Sequence, residues 1–357
     1  MKLGIIGLPQ TGKKILFELL TDTLVTRENS ESQKSISGIA IMKDLRFDKL
    51  IEMYKPKKEM PARIDIKLLP KIELSSNKNA DFFREISDVD ALCHVVRAFK
   101  NESIYHVSGS VDAARDIDAI NSELLLNDLI FIERRLEKID KDRKKKDDKR
   151  LKEEQDLMIK FKNHLESELP LRLLTLEKEE ELLISGYPLL TLKKIMVLLN
   201  ADDSDLSNSS LLTELCEKFK NQDIDFILIS ALLEKEIASL DSPEDRAEFM
   251  KDSGIAESAL NLISAHSMKL LGLISFFTVG KDEVKQWLIK KNSSAPEAAG
   301  AVHSDIQRGF IRAEVIKYKD LIELGNEEAV KKAGKFYVMG KDYIAEDADI
   351  MNFRFNI

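Results

Sequence analysis

The sequence predicts an α/β fold in which a sheet domain is interrupted by a helical insertion and followed by a smaller α+β module. Three observations carry that reading. A glycine-rich turn joins the short apolar run Lys2-Leu3-Gly4-Ile5-Ile6 to the amphipathic segment Ile15-Leu16-Phe17-Glu18-Leu19-Leu20. Apolar runs that read as buried strands stand on both sides of a long stretch with helical periodicity. Residues 273–357 carry strand-like runs, a helical stretch and turn glycines of their own. At 357 residues the chain also exceeds what one hydrophobic core usually organises.

In chain order the turn comes first. Gly7-Leu8-Pro9-Gln10-Thr11-Gly12-Lys13-Lys14 follows the phosphate-binding pattern G-x-x-x-x-G-K-[ST] at every position but the last. Its two glycines let the backbone wind tightly enough to aim N–H groups at phosphate oxygens, and its Lys reaches the β and γ phosphates. Gly7, Gln10, Thr11, Gly12, Lys13, Lys14 and Ile15 are therefore the candidate phosphate-binding residues. The terminal hydroxyl of the pattern holds Mg²⁺, and Lys14 has no hydroxyl. That one residue separates nucleotide binding from metal-assisted hydrolysis.

Residues 21–38 are polar, and Ser30, Ser32, Ser35, Ser37 and Gly38 give them loop character where a nucleotide-sensing loop would lie. Ile39-Ala40-Ile41-Met42 and Arg63–Leu69 read as strands, the second alternating as far as Leu68. Ala91–Phe99 is nearly continuous in apolar residues, as an interior parallel strand should be. The next such runs, Ile195–Leu199 and Phe226–Ile229, come only much later, so the sheet is interrupted. In the gap, Leu125, Leu129, Ile132, Leu136 and Ile139 form one helical stripe and Leu151, Met158, Phe161, Leu165 and Leu169 a second. An antiparallel helical hairpin is the economical account. Its tip, Asp140–Arg150, is charged and locally basic at Arg143, Lys144, Lys145 and Lys146. Two readings of the tip stay open, a solvated helix end and a contact with nucleic-acid phosphates.

Composition narrows the class. A formal net charge of −8 argues against nonspecific nucleic-acid binding by the whole molecule while leaving room for a local basic patch. Cys93 and Cys216 are far apart and form neither a C-x-x-C pair nor a zinc spacing, so buried reduced thiols are expected. The N-terminus lacks a basic, long-apolar leader and no run of about 18 apolar residues occurs, so a cytoplasmic protein with no membrane partner is expected.

At the far end, Ile311–Ile316 and Phe353-Arg354-Phe355 read as strands, Glu327–Lys332 as helix, and Gly309, Gly334 and Gly340 as turns. Trp287, the single tryptophan, is expected in core or interface packing. His303 and Asp305 are expected to be a structural or surface pair, since no nucleophile or metal-ligand set accompanies them.

Several segments together resemble the YchF (Obg-like) P-loop nucleotidases. They are the opening Gly-Leu-Pro-x-x-Gly-Lys, Cys93-His94-Val95-Val96-Arg97, His106-Val107-Ser108-Gly109 and Leu190-Thr191-Leu192-Lys193. Phe276–Gly280, Glu283–Trp287, Ala295–Gly300, His303-Ser304-Asp305, Arg308–Ala313 and Gly340–Ile344 resemble the TGS module that ends those proteins. The resemblance implies a Ras-like nucleotide domain at 1–117 and 189–272, a coiled-coil insertion at 118–188, and a ubiquitin-like β-grasp TGS domain at 273–357. It also implies a role at the ribosome or in translation-linked stress.

Departures from the family pattern matter as much. Active members end the strand after the switch loop in D-x-x-G, whose Asp orients Mg²⁺. Aligned from Pro61, Leu68 takes the Asp position and Lys71 the Gly position. The family's Gly-rich loop bearing the His credited with hydrolysis is replaced by Glu73–Ala80, which contains neither Gly nor His. Efficient hydrolysis is therefore not expected. For the base, Asn200-Ala201-Asp202-Asp203 stands where guanine-specific enzymes have N-K-x-D and the family usually has N-x-x-E, and Ser230-Ala231-Leu232 follows the last strand. Asn200, Ala201, Asp203, Ser230, Ala231 and Leu232 are the candidate base-binding residues. Adenine and guanine both stay open, because Ala201 replaces the Lys that packs over the base; an Asp-rich helix cap is the plain alternative.

Two functions remain. One is a regulatory protein that binds a purine nucleotide, GTP or ATP or their diphosphates, with Mg²⁺ weak or not required, and acts as a monomer on the ribosome or structured RNA. The other is a slow ATPase or GTPase using replacement residues.

Overall fold

A computed structural model describes the chain except residues 27–33, 75–78, 146–147, 207–209, 254, 256 and 357. The first elements are β1 (Lys2–Ile6), α1 (Lys13–Thr21), β2 (Ile36–Ile41), α2 (Leu45–Tyr54), β3 (Lys58–Met60), β4 (Arg63–Leu68), α3 (Ala80–Ser87) and β5 (Ala91–Arg97). Then come α4 (Ala113–Arg143), α5 (Lys149–Glu166), α6 (Lys178–Ile184), β6 (Lys194–Asn200), α7 (Ser210–Lys218), β7 (Ile224–Ile229) and α8 (Ala231–Ser239). After the helices Pro243–Asp252 and Ala259–Leu270 follow β8 (Leu273–Thr278), β9 (Glu283–Lys290), β10 (Phe310–Lys317), β11 (Phe336–Met339) and β12 (Asp349–Phe355).

The fold is α/β, with one sheet in the order β2-β4-β1-β5-β6-β7. β1 pairs in parallel with β4 and β5, and β6 with β5 and β7. β5 is buried at every position, which is why it reads as an unbroken apolar run rather than an alternating one. The other sheet is mixed, in the order β11-β10-β12-β8-β9-β3. Its core gathers Phe276, Ala298, Ala313, Val315 and Met351. Trp287 lies half-buried against this core, stacked on Phe276 at 6.2 Å with its indole N–H donating to Thr278 Oγ1 at 3.0 Å. His303 caps the short helix Ser304–Arg308 by accepting from the Asp305 N–H, a structural role.

The chain divides into two compact units, Met1–Ile39 with Asp65–Ala259, and Ala40–Ile64 with Leu260–Ile357. This differs from the division expected at residues 117, 189 and 273. The second unit takes in Ala40–Ile64, because β3 pairs in parallel with β9 through Lys58↔Glu283 and Met60↔Lys285. From the same segment, Phe47 and Leu50 of α2 join a buried cluster with Phe277 and Val284. A three-residue strand carries too little periodicity to be read from sequence.

A boundary at residue 118 falls inside a continuous helix. α4 buries Ile117 against β5 and β6 residues, and Ile120 and Leu124 against the sheet, whereas Ile132 and Ile139 pack with Leu157, Met158, Phe161 and Leu165. One helix thus serves the sheet with its first half and the α4–α5 hairpin with its second. Midway along it, the fully buried Asp128 accepts hydrogen bonds from the Leu190 and Thr191 N–H groups, both at 2.8 Å, and from Thr191 Oγ1 at 2.7 Å.

The cysteines correct the expectation of two buried thiols. Cys93 is buried in β5, which pushes its thiol up to about 12, but Cys216 is exposed. On α7 the neighbouring Leu215 takes the inward position and turns Cys216 to solvent. Among the described residues, no helix is long and apolar enough to cross a membrane.

Candidate functional site

Between β1 and α1 the backbone forms a cradle that only its glycines permit. Gly7 has φ 151°, and a Cβ there would lie 2.4 Å from the Val95 carbonyl oxygen. Gly12 has φ 90°, and a Cβ there would lie 2.3 Å from Asn200 Nδ2. Between them Gln10 adopts a left-handed φ of 63°, and Thr11 Oγ1 donates to the Leu8 carbonyl at 3.2 Å. Gly12 is the cap residue of α1 and supplies no side-chain acceptor, so the first-turn N–H groups point to an anion site.

Lys13 is buried, and its ammonium donates to the Gly7 carbonyl oxygen, folded back over the loop. Burial first, then the charges of Lys14 and Lys71, lowers its pKa to about 7. His94, on the adjacent β5, is buried with neither ring nitrogen hydrogen-bonded among the described residues. Burial and Lys13 hold its pKa down at about 3, so the ring is neutral.

The cradle opens onto a cleft of about 600 Å³ walled by Pro9–Ile15, Lys34, Ile36, Leu68–Lys71, Phe99, Ser103 and Ile104. Among the described residues four lysines line it and no Asp, Glu or His does. Its far wall is set by Arg97 at the end of β5, whose guanidinium donates to the carbonyls of Phe99 (3.2 Å), Ile104 (3.0 Å) and Asn101 (3.0 Å) and lies 4.5 Å from the centre of the Phe99 ring. The segment continues to His106, whose Nε2 lies 2.9 Å from Asp116 Oδ2 in the first turn of α4. Nothing in the sequence around Phe99, Ser103 and Ile104 marks them as cleft residues; Arg97, a charged residue ending an apolar strand, is the signal that could have found them.

These residues do not fit a protein-held Mg²⁺. Lys14 stands at the hydroxyl position and Leu68, 5% exposed, at the carboxylate position. Among the described residues no group of three or more His, Cys, Asp or Glu is placed to hold a metal ion. Ser75–Lys78, part of the loop expected to lack a catalytic His, lie outside the described residues.

The candidate base loops meet the cradle through Asn200. Its Nδ2 donates to the Thr11 carbonyl at 3.0 Å and its Oδ1 accepts the Ala231 N–H at 2.9 Å, so the amide braces the phosphate loop against the start of α8. Ala201 is buried and donates to the Ile229 carbonyl, while Ser230 caps α8 by accepting from Leu233 N–H at 3.3 Å. Asp203 and Leu232 are exposed. Asp202 does not cap the short turn Asp203–Asp205 but accepts from the Lys100 N–H at 2.9 Å. None of the six base candidates lines the cleft.

At the hairpin tip, Arg143 bonds to Gln155, Lys144 is exposed, and Lys145 lies 3.7 Å from Asp142. Lys146 lies outside the described residues.

A family model, YchF-GTPase_C, described as a protein of unknown function (DUF933), matches residues 273–356. "Ribosome-binding ATPase YchF" of Pasteurella multocida (strain Pm70) is 38% identical over 362 residues, covering 100% of this chain and 99% of that protein. The protein of the same name from Bacillus subtilis (strain 168) is 38% identical over 363 residues, covering 99% of each. "Obg-like ATPase 1" of Oryza sativa subsp. indica is 35% identical over 366 residues, covering 100% and 92%. The solved "Structure of the Schizosaccharomyces pombe YchF GTPase" matches with a TM-score of 0.85 at 30% identity, over 99% of this chain and 97% of that one.

Proposed function

This chain belongs to the YchF family, and from that premise we propose that it is a purine-nucleotide-binding regulatory protein with impaired hydrolysis. One observation carries the reading: an intact phosphate cradle opens on a cleft whose described residues include four lysines and no carboxylate or imidazole. Gly7, Gln10, Thr11, Gly12, Lys13, Lys14 and Ile15 take the phosphates of GTP or ATP, or of the diphosphates. The loops at Asn200–Asp203 and Ser230–Leu232 are the proposed base contacts through their exposed members Asp203 and Leu232, although none of the six candidates lines the cleft. With Lys14 and Leu68 at the two metal positions, Mg²⁺ is weakly used or not required, and no described group lining the cleft activates a water. Calorimetric titration of ADP, ATP, GDP and GTP, in EDTA and in Mg²⁺, alongside phosphate release, tests this. Binding is expected for at least one purine and to be lost in Lys13→Ala, with phosphate release near background even in Lys14→Ser. Release at the rate of a competent ATPase would refute impaired hydrolysis.

The bacterial relatives are named as ribosome-binding, which supports a ribosome or structured-RNA partner for a cytoplasmic, monomeric protein. Residues 273–357 and the tip residues Arg143, Lys144, Lys145 and Lys146 are the proposed docking elements. Charge reversal at Lys144, Lys145 and Lys146 should weaken co-sedimentation with ribosomal subunits and flatten its salt dependence, by roughly one unit or less of log–log slope for each lysine that pairs with a phosphate. Unchanged sedimentation would return the tip to a solvated helix end.

A further inference from the structure

We propose that the cleft takes its nucleotide as a metal-free polyanion, with lysines of this chain standing in for the divalent ion, and that it therefore favours triphosphates over diphosphates. The inference rests on the nucleotide reading above and deepens it. In P-loop proteins the metal bridges the β and γ oxygens and offsets their charge. Here Lys14 occupies the position of the metal-holding hydroxyl, and Lys71 stands on the cleft wall, three residues after Leu68, which takes the position of the metal-orienting carboxylate. Lys34 lines the same space. An ammonium group repels a divalent cation and binds phosphate as a compact point charge, so these positions oppose the metal and attract the anion together.

The lysines already act on one another. Lys14 and Lys71 both weigh against the charged form of Lys13, which is the expected mark of cations gathered around one space. A phosphate chain entering that space relieves the repulsion, and each added phosphate brings more negative charge among the lysines that line it. Chain length and affinity should therefore rise together. Magnesium should weaken binding, because chelation cancels the charge that the lysines recognise.

The test is titration of the full chain with the di- and triphosphates of adenosine and guanosine in EDTA and again in excess Mg²⁺. In EDTA the triphosphate should bind at least about tenfold more tightly than its diphosphate, the scale of one charge-assisted hydrogen bond. Mg²⁺ should reduce that advantage. The double substitution Lys14→Ser, Lys71→Gly should abolish it, and Lys71→Arg, which keeps the charge, should preserve it. Equal or tighter diphosphate binding in EDTA, or tighter triphosphate binding on adding Mg²⁺, overturns the inference while leaving nucleotide binding intact. If no nucleotide binds under either condition, the underlying reading falls and this one with it.

Discussion

The two ends of the cleft have fared differently. At the cradle end, Gly7 and Gly12 hold the conformations that a phosphate loop needs, and Asn200 locks the loop from outside. At the other end, Lys14 and Leu68 stand where a hydroxyl and a carboxylate would serve a metal. The first end is built from backbone, whose N–H groups survive most substitutions as long as the glycines stay. The second is built from side chains, and each is lost in a single change. Under the proposed function, binding and turnover are thus separable within one site.

Gly7→Ala tests the cradle end most severely. Its Cβ would lie 2.4 Å from a backbone oxygen that cannot swing away, at a φ that L residues rarely adopt. A loss of about 3 kcal/mol in stability and of nucleotide binding is expected from melting and titration; a variant that melts and binds like the parent would mean that the cradle is not rigid.

Asn200→Ala asks whether the brace or the loop itself holds the shape. It strands the Thr11 carbonyl and the Ala231 N–H, at a cost of about 2 kcal/mol and roughly tenfold in nucleotide affinity. If base specificity changes while stability does not, Asn200 serves the base rather than the loop.

A change of a fraction of a pH unit is the mildest perturbation. In the free protein Lys13 loses its proton near pH 7, whereas phosphate favours the ammonium form. Binding therefore takes up a proton, and affinity should fall as pH rises above 7, by at most about tenfold per pH unit. Stability without ligand should run the other way. The unfolded chain keeps Lys13 protonated up to its ordinary 10.5, so this group's contribution to stability rises with pH from 7 towards 10.5. Titrations in the parent and in Lys13→Met separate this from ionisation of the ligand; a parallel pH dependence in both would remove Lys13 from the account.

Much of the fold and of the cradle is legible in the sequence, and the omissions have physical causes. A phosphate loop is local, so glycine spacing spells it out, and buried parallel strands announce themselves as apolar runs such as Ala91–Arg97. The brace at Asn200 joins residues 189 apart in the chain, and no local pattern encodes it. The cleft wall at Phe99–Ile104 is shaped by the carbonyls that Arg97 collects, so it depends on one side chain and on no periodicity. Cys216 escapes a sequence reading because membership of an apolar-rich helix does not say which way a residue faces.

Helix α4 is 31 residues long. It leaves the cleft wall through Phe99–His106, is anchored at its root by the His106–Asp116 contact, and is gripped at mid-length by the loop that Asp128 holds. At about 1.5 Å per residue it is roughly 46 Å long, a stiff rod with a fulcrum at Asp128. A tilt of about 10° there would swing Arg143 by roughly 4 Å, since about 22 Å of rod lies beyond the pivot. Leverage of that kind turns a movement too small to notice beside a phosphate into one that a partner at the far tip would feel.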